Sequence, residues 1–96
     1  MAEPAEMGEK KVPLGVAVIT PVGTFPNDDD YRRAFAGEKI KTILEETAKA
    51  QHLTNTADWV ARVDDRAVDP EKTYHEEHLK CVVEMEWHKP EGGGGA

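Results

Sequence analysis

Six residues, Glu91-Gly92-Gly93-Gly94-Gly95-Ala96, carry almost no side chain and yet point to the sharpest chemistry in the sequence. Glycine loses more conformational freedom on folding than any other residue, so four in a row resist ordering and add nothing to a core. The same bareness lets a backbone pass through a narrow channel beside a ligand. A glycine tail leaving the last strand of a small domain is what a protein needs when its own C-terminal carboxyl is the reactive group. The plain alternative is an inert end or linker.

The other candidates for chemistry read as structure. His75-Glu76-Glu77-His78 looks like a string of metal ligands. Zinc-peptidase helices, however, need His at i and i+4 with Glu after the first His. Here the spacing is three and no third ligand is marked, so the reading is a solvated turn with no metal. Cys81 shares strand parity with Val83, Met85 and Trp87, which predicts a buried packing role rather than a nucleophile. Trp59 and Trp87 read as core or sheet-edge residues, not platforms for a ligand. Asp28-Asp29-Asp30 reads as a solvated loop. No side chain is assigned a catalytic role, so the chain is not expected to be an enzyme.

Composition removes several function classes. The chain has 96 residues, enough for one small domain with a modest core. No apolar run approaches the roughly 20 residues of a membrane span. Met1 to Gly8 carries Glu3 and Glu6 where a secretory signal would have a basic region and an apolar stretch. A lone Cys81 excludes an internal disulfide and fits a reducing compartment. The formal charge of −7 repels phosphate backbones, and no basic stripe with interleaved aromatics offsets it. The expectation is a cytoplasmic, protein-facing module with no nucleic-acid or membrane partner.

The elements that must position the tail follow from hydrophobic periodicity. Residues 1–11 are polar and expected to be disordered, 12–89 form the folded domain, and 90–96 form a flexible tail. Leu14 to Thr20 is a β-branched run suited to a buried strand, closed by a turn at Pro21-Val22-Gly23. Pro26 and Asn27-Asp28-Asp29-Asp30 interrupt the returning strand, which resumes around Tyr31, Arg33 and Phe35. From Glu38 to about Leu53 the period becomes helical, with Ile40, Ile43, Leu44 and Thr47 at i, i+3, i+4 and i+7. Glu38 is expected in the first turn, where it suits the helix dipole. Trp59, Ala61 and Val63 share one strand face, Asp64-Asp65 make a tight turn, and Ala67-Val68 form a very short strand. Cys81, Val83, Met85 and Trp87 then line one face of a last strand that Pro90 ends.

Strand, strand, helix, strand, short strand, strand is the order of a β-grasp domain. From Trp59 to Leu79 the chain resembles ubiquitin-like proteins. Val60–Val63 is the strand, Asp64-Asp65 the turn and Ala67-Val68 the short strand. Asp69-Pro70-Glu71-Lys72-Thr73 is the polar turn and Leu79 the apolar anchor. Asp58-Trp59-Val60-Ala61, together with the four-glycine tail, is similar to the bacterial ubiquitin-like modifiers encoded beside activating, conjugating and deconjugating enzymes. The resemblance spans roughly residues 14–95. It implies an α+β fold with a mixed four- to five-stranded sheet packed on one main helix.

The chemistry that the resemblance implies belongs to partners. An activating enzyme consumes ATP to adenylate the terminal glycine and captures it as a thioester. A conjugating enzyme passes it to a lysine of a target protein, and a deconjugating peptidase trims or reverses. The chain itself would hold no cofactor. Gly92, Gly93, Gly94 and Gly95 would be the conjugation tail. From His88 to Gly95 an extended chain reaches about 26 Å, enough to enter a buried site while the body docks outside. Many such modifiers are made as precursors, so the Gly95–Ala96 bond is the expected cleavage point; otherwise Ala96 is tolerated or is a cloning remnant.

Val60, Arg62, Glu84, Glu86 and His88 are expected on the open face of the sheet as the partner-binding surface. They mix charges with one aliphatic residue, so ubiquitin's exposed apolar patch is not evident. The tail also has His88-Lys89-Pro90-Glu91 in place of ubiquitin's arginines, which implies a dedicated activating enzyme. Two alternatives stay open. A sulfur-carrier β-grasp protein would form a terminal thiocarboxylate, and a non-conjugated adaptor would carry its glycines incidentally.

Overall fold

The computed structural model describes residues 11–90. The elements are β1 (Pro13–Ile19), β2 (Thr24–Phe25), β3 (Arg32–Phe35), α1 (Ile40–Gln51), β4 (Val60–Val63), β5 (Arg66–Val68) and β6 (Val82–His88). The strands form one mixed sheet in the order β2-β1-β6-β4-β5, with β3 also paired to β1. β1 and β6 run parallel, from Gly15 opposite Val82 to Ile19 opposite Glu86. Parallel neighbours need a long crossover between them, and the helix with β4 and β5 lies in that connection.

Six strands appear where four to five were expected, because the returning strand is in two pieces. β2 pairs Phe25 with Val18, and β3 pairs Arg32 with Val16 and Phe35 with Pro13. Between them Asn27 makes a local turn: its Oδ1 accepts the Asp29 N–H at 2.8 Å, and its Nδ2 donates to Asp30 at 3.1 Å. The first of these satisfies a backbone donor locally, in place of a ladder bond, and the second closes the turn between side chains. The Phe25–Pro26 peptide bond is cis.

The helix buries Ile40, Ile43, Leu44 and Thr47, the stripe that the periodicity predicts. It starts two residues later than the sequence indicates. Lys39 is extended and makes no side-chain cap. Instead, the Ile40 and Lys41 N–H groups donate to the carbonyls of Lys72 and Pro70, each at 2.9 Å. A neighbouring loop thus meets the helix's orphan donors. Glu38 lies outside the first turn, contrary to expectation, and faces Arg32 at 3.9 Å. At the other end His52 turns left-handed (φ 57°), and Leu53 N–H bonds back to the Ala48 carbonyl at 2.8 Å. Buried Thr47 donates its hydroxyl to the Ile43 carbonyl at 2.8 Å.

One core lies between helix and sheet. Val16, Val18, Ala34, Ile40, Tyr74 and Met85 are fully enclosed, with Ile43, Ala61 and Val83 nearly so. Tyr74, which follows the polar turn, is a core residue that the sequence does not mark. It is wholly buried, and its hydroxyl has no partner among the described residues. Burial first, and the nearby Glu38 charge second, push that phenol well above its usual range. Leu79 anchors the same segment from inside, its N–H on the Tyr74 carbonyl at 2.9 Å.

Cys81 corrects the sequence reading. It is exposed, not buried, and has a left-handed backbone (φ 65°). β6 begins only at Val82, so the alternation that places Val83, Met85 and Trp87 inside does not extend back to it. Its carbonyl accepts the Gly15 N–H at 2.9 Å, joining the approach segment to β1.

Candidate functional site

Gly92, Gly93, Gly94, Gly95 and Ala96, expected to form the conjugation tail and its cleavage point, lie outside the described residues, as do residues 1–10. What the structure gives is the tail's root. β6 occupies the interior of the sheet, with β1 on one side and β4 on the other. On the β4 side Val60 stands opposite His88, Ala61 opposite Trp87, and Arg62 opposite Glu86. The chain therefore leaves the body from an interior strand, paired with β1 over Val82–Glu86 and with β4 over Glu86–His88. His88 Nδ1 lies 2.8 Å from the Lys89 carbonyl, a contact that requires the proton on Nδ1.

The five residues predicted to share the open face do so. Ala61, Val63, Val83, Met85 and Trp87 are buried against the helix, and the alternation turns Val60, Arg62, Glu84, Glu86 and His88 outward. Glu84 and Glu86 are exposed, whereas Val60, Arg62 and His88 are half-buried. A cleft of about 530 Å³ at the tail root is lined by Val60, Arg62, Asp65, Glu86, His88 and Pro90. Arg62 is held in it by donating through Nη2 to the Asp65 carbonyl at 2.7 Å. Asp64 and Asp65 both have positive φ (53° and 65°), the backbone of the tight two-residue turn that the sequence predicts.

The face is more apolar than the sequence shows. Ile19 pairs with Glu86 and Val82 with Gly15, so both point outward, 38% and 57% exposed. The apolar run of β1 gives no periodic signal for Ile19, because inside and outside positions are both aliphatic. Tyr31 adds an aromatic. It lies across β1 at Gly15, where even an added Cβ would stand only 3.0 Å from Tyr31 Cβ. Its hydroxyl donates to Glu84 Oε2 at 3.2 Å. That hydrogen bond, and then the Glu84 charge, raise its pKa above the ordinary phenol value.

Trp59 lies just before β4, half-buried, in edge contact with Trp87 at 5.1 Å between centroids and 69° between planes. Its Nε1 is covered and has no partner among the described residues. The His75–His78 segment is a structural turn. Glu76 and Thr73 bond reciprocally, each backbone N–H to the other's side chain, at 3.0 and 2.9 Å. Glu77 accepts from Arg66 at 2.8 Å and from the Asp69 N–H at 3.3 Å. The Arg66 hydrogen bond holds the Glu77 carboxyl below the usual range. Among the described residues no three His, Cys, Asp or Glu side chains are placed to hold a metal ion.

No protein-family model and no curated protein matches the sequence. Solved structures do match in shape. One is a designed protein based on ubiquitin, 16% identical, with a TM-score of 0.64 over 88% of this chain and 96% of that one. Another is the N-terminal ubiquitin-like domain of the 4931431F19Rik protein, 9% identical, with a TM-score of 0.59 over 91% of this chain and 84% of that one.

Proposed function

We propose that this chain, whose described body has the ubiquitin-like β-grasp fold, is a ubiquitin-like protein modifier of the kind bacteria encode beside activating, conjugating and deconjugating enzymes. In this reading a peptidase hydrolyses the Gly95–Ala96 bond, and an activating enzyme transfers AMP from ATP to the Gly95 carboxylate, releasing pyrophosphate. Adenylate leaves as a cysteine of that enzyme takes the acyl group in a thioester. A target lysine then displaces the thiol to form an isopeptide bond. The chain supplies no catalytic side chain and binds no cofactor; it works in the cytoplasm.

The observation that carries the reading is a central, doubly paired strand that leads through Pro90 into four consecutive glycines. No helix among the described residues is long and apolar enough to cross a membrane. The open face of Val60, Arg62, Glu84, Glu86 and His88 surrounds the tail root and is the surface on which enzymes would dock.

The deciding experiment gives Gly95-terminated protein ATP and the cognate activating enzyme. A thioester adduct that thiol reductants release is expected, and deleting Gly94 and Gly95 removes it. A stable thiocarboxylate in place of a lysine-linked product would move the chain to the sulfur carriers. Unchanged cellular interactions after loss of Gly92 to Ala96 would make it an adaptor. If unprocessed protein conjugates as fast as the Gly95-terminated form, the precursor role of Ala96 fails.

A further inference from the structure

The open sheet face holds a second cleft, of about 280 Å³, bounded by β6, the end of β1 and the β4–β5 turn. Two aliphatic side chains that line it, Ile19 and Val82, are 38% and 57% exposed. One exposed aliphatic residue is ordinary on a protein surface, but two that share a cleft make a patch suited to burial. Around them stand the carboxylates of Asp64, Asp65, Glu84 and Glu86, all exposed. None of the four makes an ion pair among the described residues. Glu84 accepts the neutral Tyr31 hydroxyl, which leaves its charge in place. Arg62 is the one cation lining the cleft among the described residues, and its Nη2 is engaged by the Asp65 carbonyl.

We propose that this cleft takes an extended segment of a partner protein in which aliphatic side chains alternate with lysine or arginine. The proposal rests on the docking role given above to the sheet face and names the chemistry of what docks there. Val82, Glu84 and Glu86 occupy alternate positions of β6 and so share a face, and Ile19 stands opposite Glu86. Val82 and Ile19 are therefore about 13 Å apart along the strand, four residues at roughly 3.3 Å each. An extended segment laid along β6 repeats that spacing, with aliphatic residues at i and i+4 and a cation at i+2 above Glu84. A helix does not, because its i and i+4 side chains are only about 6 Å apart. Flanking cations meet Asp64, Asp65 and Glu86, whereas an acidic segment is repelled. The charged rim thus sets selectivity and the rate of approach, and Ile19 and Val82 supply the burial. A second copy of this chain, with a net charge of −7, is a poor occupant.

The test titrates the capped peptide Lys-Val-Ser-Lys-Ser-Ile-Lys into the isotope-labelled full chain at low salt and follows amide NMR signals. Neither ATP nor an enzyme is present. A failure here leaves the thioester experiment standing, and a failure there leaves this binding standing. Shifts are expected at Ile19, Asp64, Asp65, Val82 and Glu84. The same peptide with Glu for each Lys should cause none. Raising the salt to about 1 M, where the Debye length is about 3 Å, should weaken the lysine peptide severalfold. Val82→Ser, at an exposed position that the fold tolerates, should weaken it roughly fivefold through lost burial. The proposal is overturned by absent or evenly spread shifts, by equal binding of the Glu peptide, or by a Val82→Ser variant that binds as tightly as the parent. Shifts at these residues that follow protein concentration without peptide overturn it too, since they put a second copy on the face.

Discussion

Ile43 and Leu44 are adjacent on the helix but differ in what surrounds them, and truncating each to alanine should separate the two effects. Ile43 is 1% exposed in the middle of the core. Leu44 is 4% exposed and also lines a surface cleft with Ala48, Trp59 and Trp87. Ile43→Ala removes three buried carbons, about 2.4 kcal/mol at roughly 0.8 kcal/mol each. The enclosed site cannot collapse freely, and the cavity term carries the cost to about 4 kcal/mol, within the range of about 2–5 for such changes. Alanine's better helix propensity returns roughly 0.4 kcal/mol. Leu44→Ala opens onto the cleft, where neighbouring side chains and water relieve the void, so about 2–3 kcal/mol is expected. For a body of about 80 residues, total stability is roughly 4–12 kcal/mol, so Ile43→Ala brings the protein near its threshold. Its melting temperature should fall by about 14–28 °C, at 4–8 °C per kcal/mol. Urea denaturation with an unchanged slope measures both. A loss under about 1 kcal/mol for Ile43→Ala, or a larger loss for Leu44→Ala, refutes this account of the core.

Three further outcomes follow from single side chains. Tyr74→Phe removes a buried hydroxyl that has no partner among the described residues, so it should stabilise the domain by roughly 1 kcal/mol; a loss of that size would reveal a partner. The folded-state pKa of Glu77 is lowered from 4.5 by Arg66, so its contribution is fully present above the unfolded value and is lost as pH falls through the folded one. Glu77→Gln should therefore flatten the acid limb of stability against pH below about 4.5, and an unchanged limb counts against the pair. Cys81, exposed before β6, should react with a disulfide reagent in the native state as fast as a free thiol, and Cys81→Ser should change stability by less than about 0.5 kcal/mol. Reaction only after unfolding would return it to the core.

Elements built on a clean period were legible in the sequence. The helix stripe of Ile40, Ile43, Leu44 and Thr47, and the alternation of Val83, Met85 and Trp87, needed only 3.6 and 2 as repeats. The misreadings fall where a long-range contact replaces a local signal. The helix start is set by carbonyls of Pro70 and Lys72, some 30 residues away, so no capping residue marks it. Cys81 fits the alternation, but its left-handed backbone ends the strand before reaching it. Tyr74 is hidden in a polar turn because its burial depends on the whole segment folding over the helix. Of the open sheet face, Val60, Arg62, Glu84, Glu86 and His88 were readable from parity. Val82 shares that parity, whereas Ile19 and Tyr31 were not readable, since their direction depends on the register of β1 with β6 and β3.

The same register explains why a chain that works through its end would place its last strand inside the sheet. A strand at an edge, such as β5, is held by one ladder and three residue pairs. β6 is held by five pairs to β1 and three to β4, and it buries Val83, Met85 and Trp87 besides. Strain applied to the tail is therefore met first by the β4 pairs of His88 and Trp87, then by both ladders at Glu86, and by the burial of Trp87, Met85 and Val83. In the proposed modifier, enzymes handle and bond the last glycine repeatedly while recognising the body. That division of labour requires a root that stays registered when its end is held. Opening β6 from Glu86 onward would break its pairing with Arg62 on one side and Ile19 on the other, and would dismantle the recognition face along with the anchor. In the proposed modifier, anchor and face are thus one structure, which would tie recognition of the body to delivery of the tail.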